Sequence, residues 1–177
     1  MIIKNRRGFT LIELLVVIAI ISILTLITVS QFMTAKKKAN DVARKGDLSA
    51  LSKALLMYYA DYGKFPTAAA NGTVLVTDNA DSSTASWGGT FTDNSSQHYV
   101  YMKVMPNEKI LKNIQYCYVT DPSGTKFGIF AMLENTTDSQ CIMSGPVGAY
   151  SHCGGKTYCF SYVSPNAVVS DFNGFIP

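Results

Sequence analysis

Residues 8–35 read Gly8-Phe9-Thr10-Leu11-Ile12-Glu13-Leu14-Leu15-Val16-Val17-Ile18-Ala19-Ile20-Ile21-Ser22-Ile23-Leu24-Thr25-Leu26-Ile27-Thr28-Val29-Ser30-Gln31-Phe32-Met33-Thr34-Ala35. From Leu14 to Ala35 no side chain is charged, and Leu14 to Val29 is almost wholly Leu, Ile, Val and Ala. Coiled as a helix rising about 1.5 Å per residue, such a run reaches about 30 Å and can span the hydrocarbon core of a bilayer. The preceding Lys4-Asn5-Arg6-Arg7 fits a cytoplasmic flank. Two ordinary readings are a secretory signal peptide cleaved near Ser30 or Ala35 and a plain membrane anchor. Glu13 argues against both. A carboxylate costs on the order of 3 kcal/mol at mid-bilayer, less near the interface, and neither a signal peptide nor an anchor gains from it. An acid in a membrane segment marks a functional position that needs a partner.

The string Gly8-Phe9-Thr10-Leu11-Ile12-Glu13-Leu14 resembles the class III signal peptide of type IV prepilins and type II secretion pseudopilins. The resemblance implies that an aspartic prepilin peptidase cuts between Gly8 and Phe9 at the cytoplasmic face and then methylates the new Phe9 amine. It implies that the apolar stretch stays on the mature chain. It also implies that Glu13 meets the amino-terminal ammonium of a neighbouring subunit, with an intrachain pair across one helical turn as the plainer alternative. Lys36, Lys37 and Lys38 balance the basic residues before the run, so counting charges leaves orientation open. The resemblance places the amino terminus in the cytoplasm and the carboxyl-terminal domain outside, in a single-pass protein of the inner membrane that later enters an extracytoplasmic filament.

The helix is expected to continue past the membrane. Leu48, Leu51, Leu55, Tyr58 and Tyr62 recur at three- and four-residue spacing, with Arg44, Lys45, Asp47 and Lys53 largely off that stripe. Gly63 and Pro66 then stop it. Residues 38–48 and 54–66 are similar to the major pseudopilins of type II secretion. Tyr101-Met102-Lys103-Val104-Met105-Pro106 and residues 127–135 look like that family's helix-to-sheet connection and later strand. Two features depart from the family: Ser22 and Ser30 stand where it usually carries Gly and then Pro, and its calcium loop is not recognisable, although Asp138 and Asp171 remain. No cofactor is therefore expected; the resemblance would allow calcium, but a few oxygens without defined spacing do not make a site.

Thr67 to Gln97, rich in Thr, Ala, Asn, Asp, Ser and Gly, reads as a surface loop holding a short strand at Val74-Leu75-Val76. Gln115–Thr120 and Lys126–Leu133 form a predicted hairpin across Asp121-Pro122-Ser123-Gly124, and Thr157–Val163 is a third strand. The expected fold class is α+β, a long amino-terminal helix packed on a small antiparallel sheet, pilin-like. The organisation is a cleaved leader at 1–8, an apolar transmembrane and polymerisation helix at 9–35, an amphipathic continuation at 36–66 and an extracytoplasmic domain at 67–177.

The net charge of +3 comes entirely from Lys4, Arg6 and Arg7; beyond residue 8, twelve basic residues face twelve acidic ones. A basic nucleic-acid footprint would survive such trimming, so no nucleic-acid partner is required. Cys117, Cys141, Cys153 and Cys159 are even in number and fall in the presumed outside domain, where disulfides are expected. Four cysteines allow three connectivities; the favoured one joins Cys153 to Cys159 around Gly154-Gly155 and Cys117 to Cys141. A zinc site using His152 lacks any Cys-x-x-Cys pair. Gly154-Gly155-Lys156-Thr157 fails as a phosphate loop because Tyr150 stands at the first glycine position. His98 and His152 belong to no nucleophile motif, and Asn71, Asn94 and Asn135 head glycosylation-type triplets that mean surface exposure.

No catalytic constellation emerges, and no enzyme is expected. The resemblance implies a structural subunit of a type IV pilus-like filament, foremost a type II secretion pseudopilin. Its partners would be copies of itself in a helical filament, the prepilin peptidase, the inner-membrane assembly platform, minor pilins or pseudopilins, and the membrane before assembly. One alternative is a true type IV pilin for adhesion, motility or DNA uptake, which the cysteines near the carboxyl end favour. The other is a membrane-tethered ligand-binding module using Trp87 and the polar loop.

Overall fold

A computed structural model describes residues 8–69, 72–78, 81–93, 99–111, 113–142, 150–152 and 156–172. The chain divides into two compact units, Met1–Ala39 and Asn40–Pro177. One helix, α1 (Leu11–Tyr62), supplies the described secondary structure of the first and opens the second. In the first unit its apolar side chains are exposed, Leu11 by 81% and Leu26 by 78%. The helix runs unbroken through Ser22 and Ser30. Within the run, Ser22 Oγ donates to the Ile18 carbonyl at 2.7 Å, Thr25 Oγ1 to that of Ile21 at 2.7 Å, and Thr28 Oγ1 to that of Thr25 at 3.0 Å. Each hydroxyl is thus satisfied inside its own helix, which lets it enter a medium without water.

In the second unit α1 ends as its sequence dictates. Gly63 adopts φ 67° and donates its N–H to the Tyr59 carbonyl at 2.8 Å, the left-handed cap that glycine takes without strain. Among the described residues ten short strands follow: β1 (Thr67–Ala68), β2 (Val74–Asp78), β3 (Asp81–Ala85), β4 (Phe91–Thr92), β5 (Val100–Met102), β6 (Cys117–Thr120), β7 (Phe127–Ala131), β8 (Tyr150–His152), β9 (Lys156–Tyr158) and β10 (Phe160–Val163). All the pairings are antiparallel, in sheets ordered β1-β2-β3, β10-β7-β6, β4-β5 and β8-β9. The fold is α+β, as expected.

The sheet β10-β7-β6 sits between two apolar clusters, so β6 and β7 are buried on both faces. Alternate side chains divide between them, following the two-residue period of a strand. Tyr118, Phe127, Ile129 and Ala131 join the α1 stripe of Leu48, Leu51, Leu55 and Tyr58. Cys117, Val119 and Phe130 join Tyr158 and Phe172 on the other side. Gly128 is required there: a Cβ would lie 3.0 Å from the Phe130 ring and 3.2 Å from that of Phe172.

The hairpin lies where its turn residues put it, with Thr120 opposite Phe127. The Thr67–Gln97 segment is more structured than its composition implied, for β2 pairs with a second strand, β3. The sequence of β3, Asp-Ser-Ser-Thr-Ala, has no apolar alternation to announce it, so its order comes from main-chain pairing. The strand expected over Thr157–Val163 splits at Cys159 into β9 and β10, which pair with different partners. Within 101–106, Tyr101 and Met102 close β5, and Met105 is fully buried beyond it.

Arg44 corrects the sequence reading more sharply. Expected off the buried stripe, it is 2% exposed. Its Nη1 lies 2.7 Å from Asp41 Oδ1 and its Nη2 3.0 Å from Glu134 Oε1, while Nε bonds Glu108. The carboxylates are themselves held by main chain. Asp41 accepts from the N–H groups of Glu134 and Asn135, and Glu108 from those of Ile110 and Leu111. One guanidinium thereby fastens two loops to α1.

The favoured disulfide connectivity is overturned. Cys141 is joined to Cys159, with Cα atoms 4.6 Å apart. Cys141 and Cys159 lie in the cluster facing α1, whereas Cys117 lies in the opposite one, so a Cys117–Cys141 bond would have to cross the sheet. The Ile142 N–H donates to the Cys159 carbonyl at 2.8 Å, which brings the two joined segments together. Cys117 is also disulfide-bonded, and Cys153 lies outside the described residues.

Arg44→Ala would leave three carboxylates without their cation, and breaking a buried pair in this way costs about 3–5 kcal/mol. Denaturant titration of the full chain in detergent should show that loss. Burial pushes the Glu108 carboxyl up, but the Arg44 hydrogen bond and the Leu111 and Ile110 N–H groups outweigh it and hold its pKa below the ordinary 4.5. The stability it contributes is therefore present above that pH and lost as pH falls through the lowered value, a decline that Arg44→Ala should blunt. Alkylation of unreduced, denatured protein from its native compartment should label none of the four cysteines.

Candidate assembly site

Gly8, Phe9 and Thr10 precede α1 as exposed chain without regular secondary structure, Phe9 being 88% exposed. Among the described residues no atom lies within 4 Å of a Cβ built on Gly8. Helix α1 begins at once because Thr10 and Glu13 form a reciprocal cap. The Thr10 N–H donates to Glu13 Oε2 at 2.8 Å, the Thr10 hydroxyl donates to the same oxygen at 2.8 Å, and the Glu13 N–H returns to Thr10 Oγ1 at 3.3 Å. This is the Ser/Thr-x-x-Glu capping box. Its signal stood in Thr10-Leu11-Ile12-Glu13, but the sequence reading took Glu13 only as an intramembrane acid. The carboxylate also lies in the first turn, where the helix dipole favours negative charge.

The box gives Glu13 an internal partner that involves neither Gly8 nor Phe9. Phe9, Ile12, Val16 and Val17 surround the carboxylate with exposed apolar surface. Among the described residues of the first unit Glu13 is the sole carboxylate. The site is thus one acid at the head of an apolar helix, five residues past Gly8.

The other candidates lie in the second unit. Trp87 is half-buried and meets Tyr116 edge-on at 5.8 Å between ring centroids, a packing role; its buried Nε1 has no hydrogen-bond partner. Asp138 pairs with Lys45 Nζ at 2.8 Å and Asp171 with Lys126 Nζ at 3.0 Å. Among the described residues no cluster of His, Cys, Asp and Glu could hold a metal ion. Tyr62, Tyr101 and Tyr116 each donate to a carboxylate, of Asp93, Asp61 and Asp47 respectively. His98 and Cys153 lie outside the described residues.

Two family models match the chain. The prokaryotic N-terminal methylation motif covers residues 3–29, and the type II secretion system protein G model covers residues 31–114. Type II secretion system core protein G of Klebsiella pneumoniae is 42% identical over 64 residues, 36% of this chain and 46% of that protein. Its counterpart in Escherichia coli K12 is 44% identical over 63 residues, covering 36% and 43%. The type IV wide pilus major component of Thermus thermophilus is 42% identical over 62 residues, covering 35% and 47%. The matched stretch spans a little under half the length of these relatives. No solved structure matches the chain. The methylation motif encloses Gly8, Phe9, Thr10 and Glu13, and the protein G segment encloses Arg44 and Glu108.

If the Thr10 hydroxyl anchors the cap, Thr10→Val should fray the first turn by about 1 kcal/mol. Amide hydrogen exchange in micelles should then quicken several-fold at Glu13 and Leu14 and remain unchanged near Leu55.

Proposed function

We propose that this chain is the precursor of a structural filament subunit, a type II secretion pseudopilin, that polymerises through its apolar helix and catalyses no reaction. The observation that carries the reading is Glu13: a carboxylate close to an exposed Gly8–Phe9 bond, at the head of a helix whose described apolar side chains are exposed throughout the first unit. Helix α1 is long and apolar enough to cross a membrane, which supports an anchor before assembly. The peptidase would cut after Gly8 and methylate the Phe9 amine. The resulting ammonium and Glu13 are opposite charges at one end of an apolar segment. Within a bundle of such helices an unpaired charge costs several kcal/mol. Pairing the Phe9 amine of one subunit with Glu13 of the next makes the correct axial stagger the arrangement that satisfies both. The Thr10 cap keeps the acid satisfied while the subunit waits in the membrane.

The remaining partners follow from this role: an inner-membrane assembly platform, minor pilins or pseudopilins, and further copies of the chain. No cofactor enters the proposal, and the lysines on Asp138 and Asp171 support a domain that holds those acids without calcium. A second reading, a true type IV pilin, draws on the Thermus relative and on the Cys141–Cys159 bond. Deleting the gene separates the two, since a pseudopilin loss stops secretion and a pilin loss removes surface fibres.

Glu13→Ala should still be cut between Gly8 and Phe9, with a methylated Phe9 in its intact mass, and should still insert and fold. Its polymerisation should slow by at least about tenfold, since even a 1.4 kcal/mol loss at the contact changes an equilibrium that much. Unchanged assembly rate and stagger in filaments imaged by cryo-microscopy would exclude the role.

A further inference from the structure

Lys36, Lys37 and Lys38 follow the apolar run directly, and all three are exposed. Successive residues of an α-helix turn by about 100°, so the three ammonium groups fan across roughly 200° of its circumference. They form a collar, not a stripe on one face. Their four-carbon stems can lie along apolar surface while the charged ends reach outward. Glu13, the sole carboxylate among the described residues of this unit, stands 23 residues before Lys36 in α1, roughly 34 Å along the helix. In the second unit the Asp41 carboxylate is already committed to Arg44 and to the N–H groups of Glu134 and Asn135.

The 34 Å between Glu13 and the collar slightly exceeds a hydrocarbon core of about 30 Å. With the helix upright, the collar occupies one headgroup layer while Glu13 reaches the other. We infer that Lys36, Lys37 and Lys38 bind the phosphates of anionic phospholipid headgroups and so set the depth of α1 in the bilayer before assembly. The inference rests on the membrane reading of the proposed function. Each basic residue held at an anionic lipid surface strengthens association by roughly fivefold. The attraction decays within about 8 Å at physiological salt, and the collar meets that limit because it adjoins the apolar run directly. Headgroup binding here would keep Glu13 at a hydrated interface, so that its charge becomes costly only when the subunit leaves the bilayer.

The full chain, reconstituted in phosphatidylcholine vesicles carrying a small proportion of spin-labelled phosphatidylglycerol or phosphatidylcholine, tests this. The parent should immobilise the anionic label in preference to the zwitterionic one. The triple variant Lys36→Gln, Lys37→Gln, Lys38→Gln should reduce that preference by about threefold or more. Triple Lys→Arg should retain it, and high salt should erode it. Lys4, Arg6 and Arg7 remain in every protein compared, so the difference belongs to the collar. An equal preference in parent and Gln variant would overturn the inference, as would no preference in either. Loss of polymerisation in the Gln variant without a lipid difference would also overturn it and assign the collar to acidic groups on a neighbouring subunit. If the parent failed to float with neutral vesicles, the membrane reading itself would fall, and this inference with it.

Discussion

Three carboxylates converge on one guanidinium inside the second unit, and the loops around α1 are arranged to make that tolerable. Charges removed from water need more than their counterions; they need hydrogen bonds for the remaining lone pairs. Asp41 finds them in the main chain of residues 134–135, and Glu108 in that of residues 110–111. The loops supplying those N–H groups cannot wander without exposing a buried acid. Arg44 therefore acts over 64 and 90 residues of sequence separation, tying helix to loop where no strand pairing reaches. Replacing such a network with apolar residues can be neutral for stability, so its value here lies in fixing one arrangement of the loops.

The two units solve opposite problems with the same helix. Beyond Asn40, α1 buries Leu48, Leu51, Leu55 and Tyr58 against a sheet and turns its polar side outward. Before Ala39 its described apolar side chains are exposed, and the hydroxyls of Ser22, Thr25 and Thr28 turn back upon its own carbonyls. The first pattern belongs to water and the second to lipid or to a bundle of like helices. The change falls within a few residues, between Ala35 and Asp41, and the lysines mark it.

What could be read from the residues was whatever short-range chemistry enforces. The end of α1 was legible because Gly63 and Pro66 act locally, and the β6–β7 hairpin because Asp121-Pro122-Ser123-Gly124 has few other uses. Glu13 stood out because an acid in an apolar run has no bland explanation, but its cap with Thr10 was passed over. Strand β3 was hidden, since its polar side chains contribute no periodicity and its order derives from pairing with β2. Arg44 was misplaced although Asp41, Arg44, Leu48, Leu51, Leu55 and Tyr58 form one continuous series of three- and four-residue steps. A charged residue at such a position was taken for the solvent face because its partners, Glu108 and Glu134, stand far along the chain. The cysteine pairing failed for a similar reason: proximity in sequence favoured Cys153 with Cys159, whereas the two faces of the sheet decide which sulfurs can meet.

The uninterrupted course of α1 through Ser22 and Ser30 has a mechanical consequence. A helix with a glycine and a proline near its middle can lengthen by giving up a few main-chain hydrogen bonds, so tension is absorbed within each subunit. Here every residue of the run keeps its helical bond, and Ser22, Thr25 and Thr28 add side-chain bonds beside them. Extension would have to break a cooperative ladder whose first opened turn is the most costly. A fibre made of such subunits would be stiff along its axis and would yield by slip between neighbours, with each stem behaving as a rod and not as a spring.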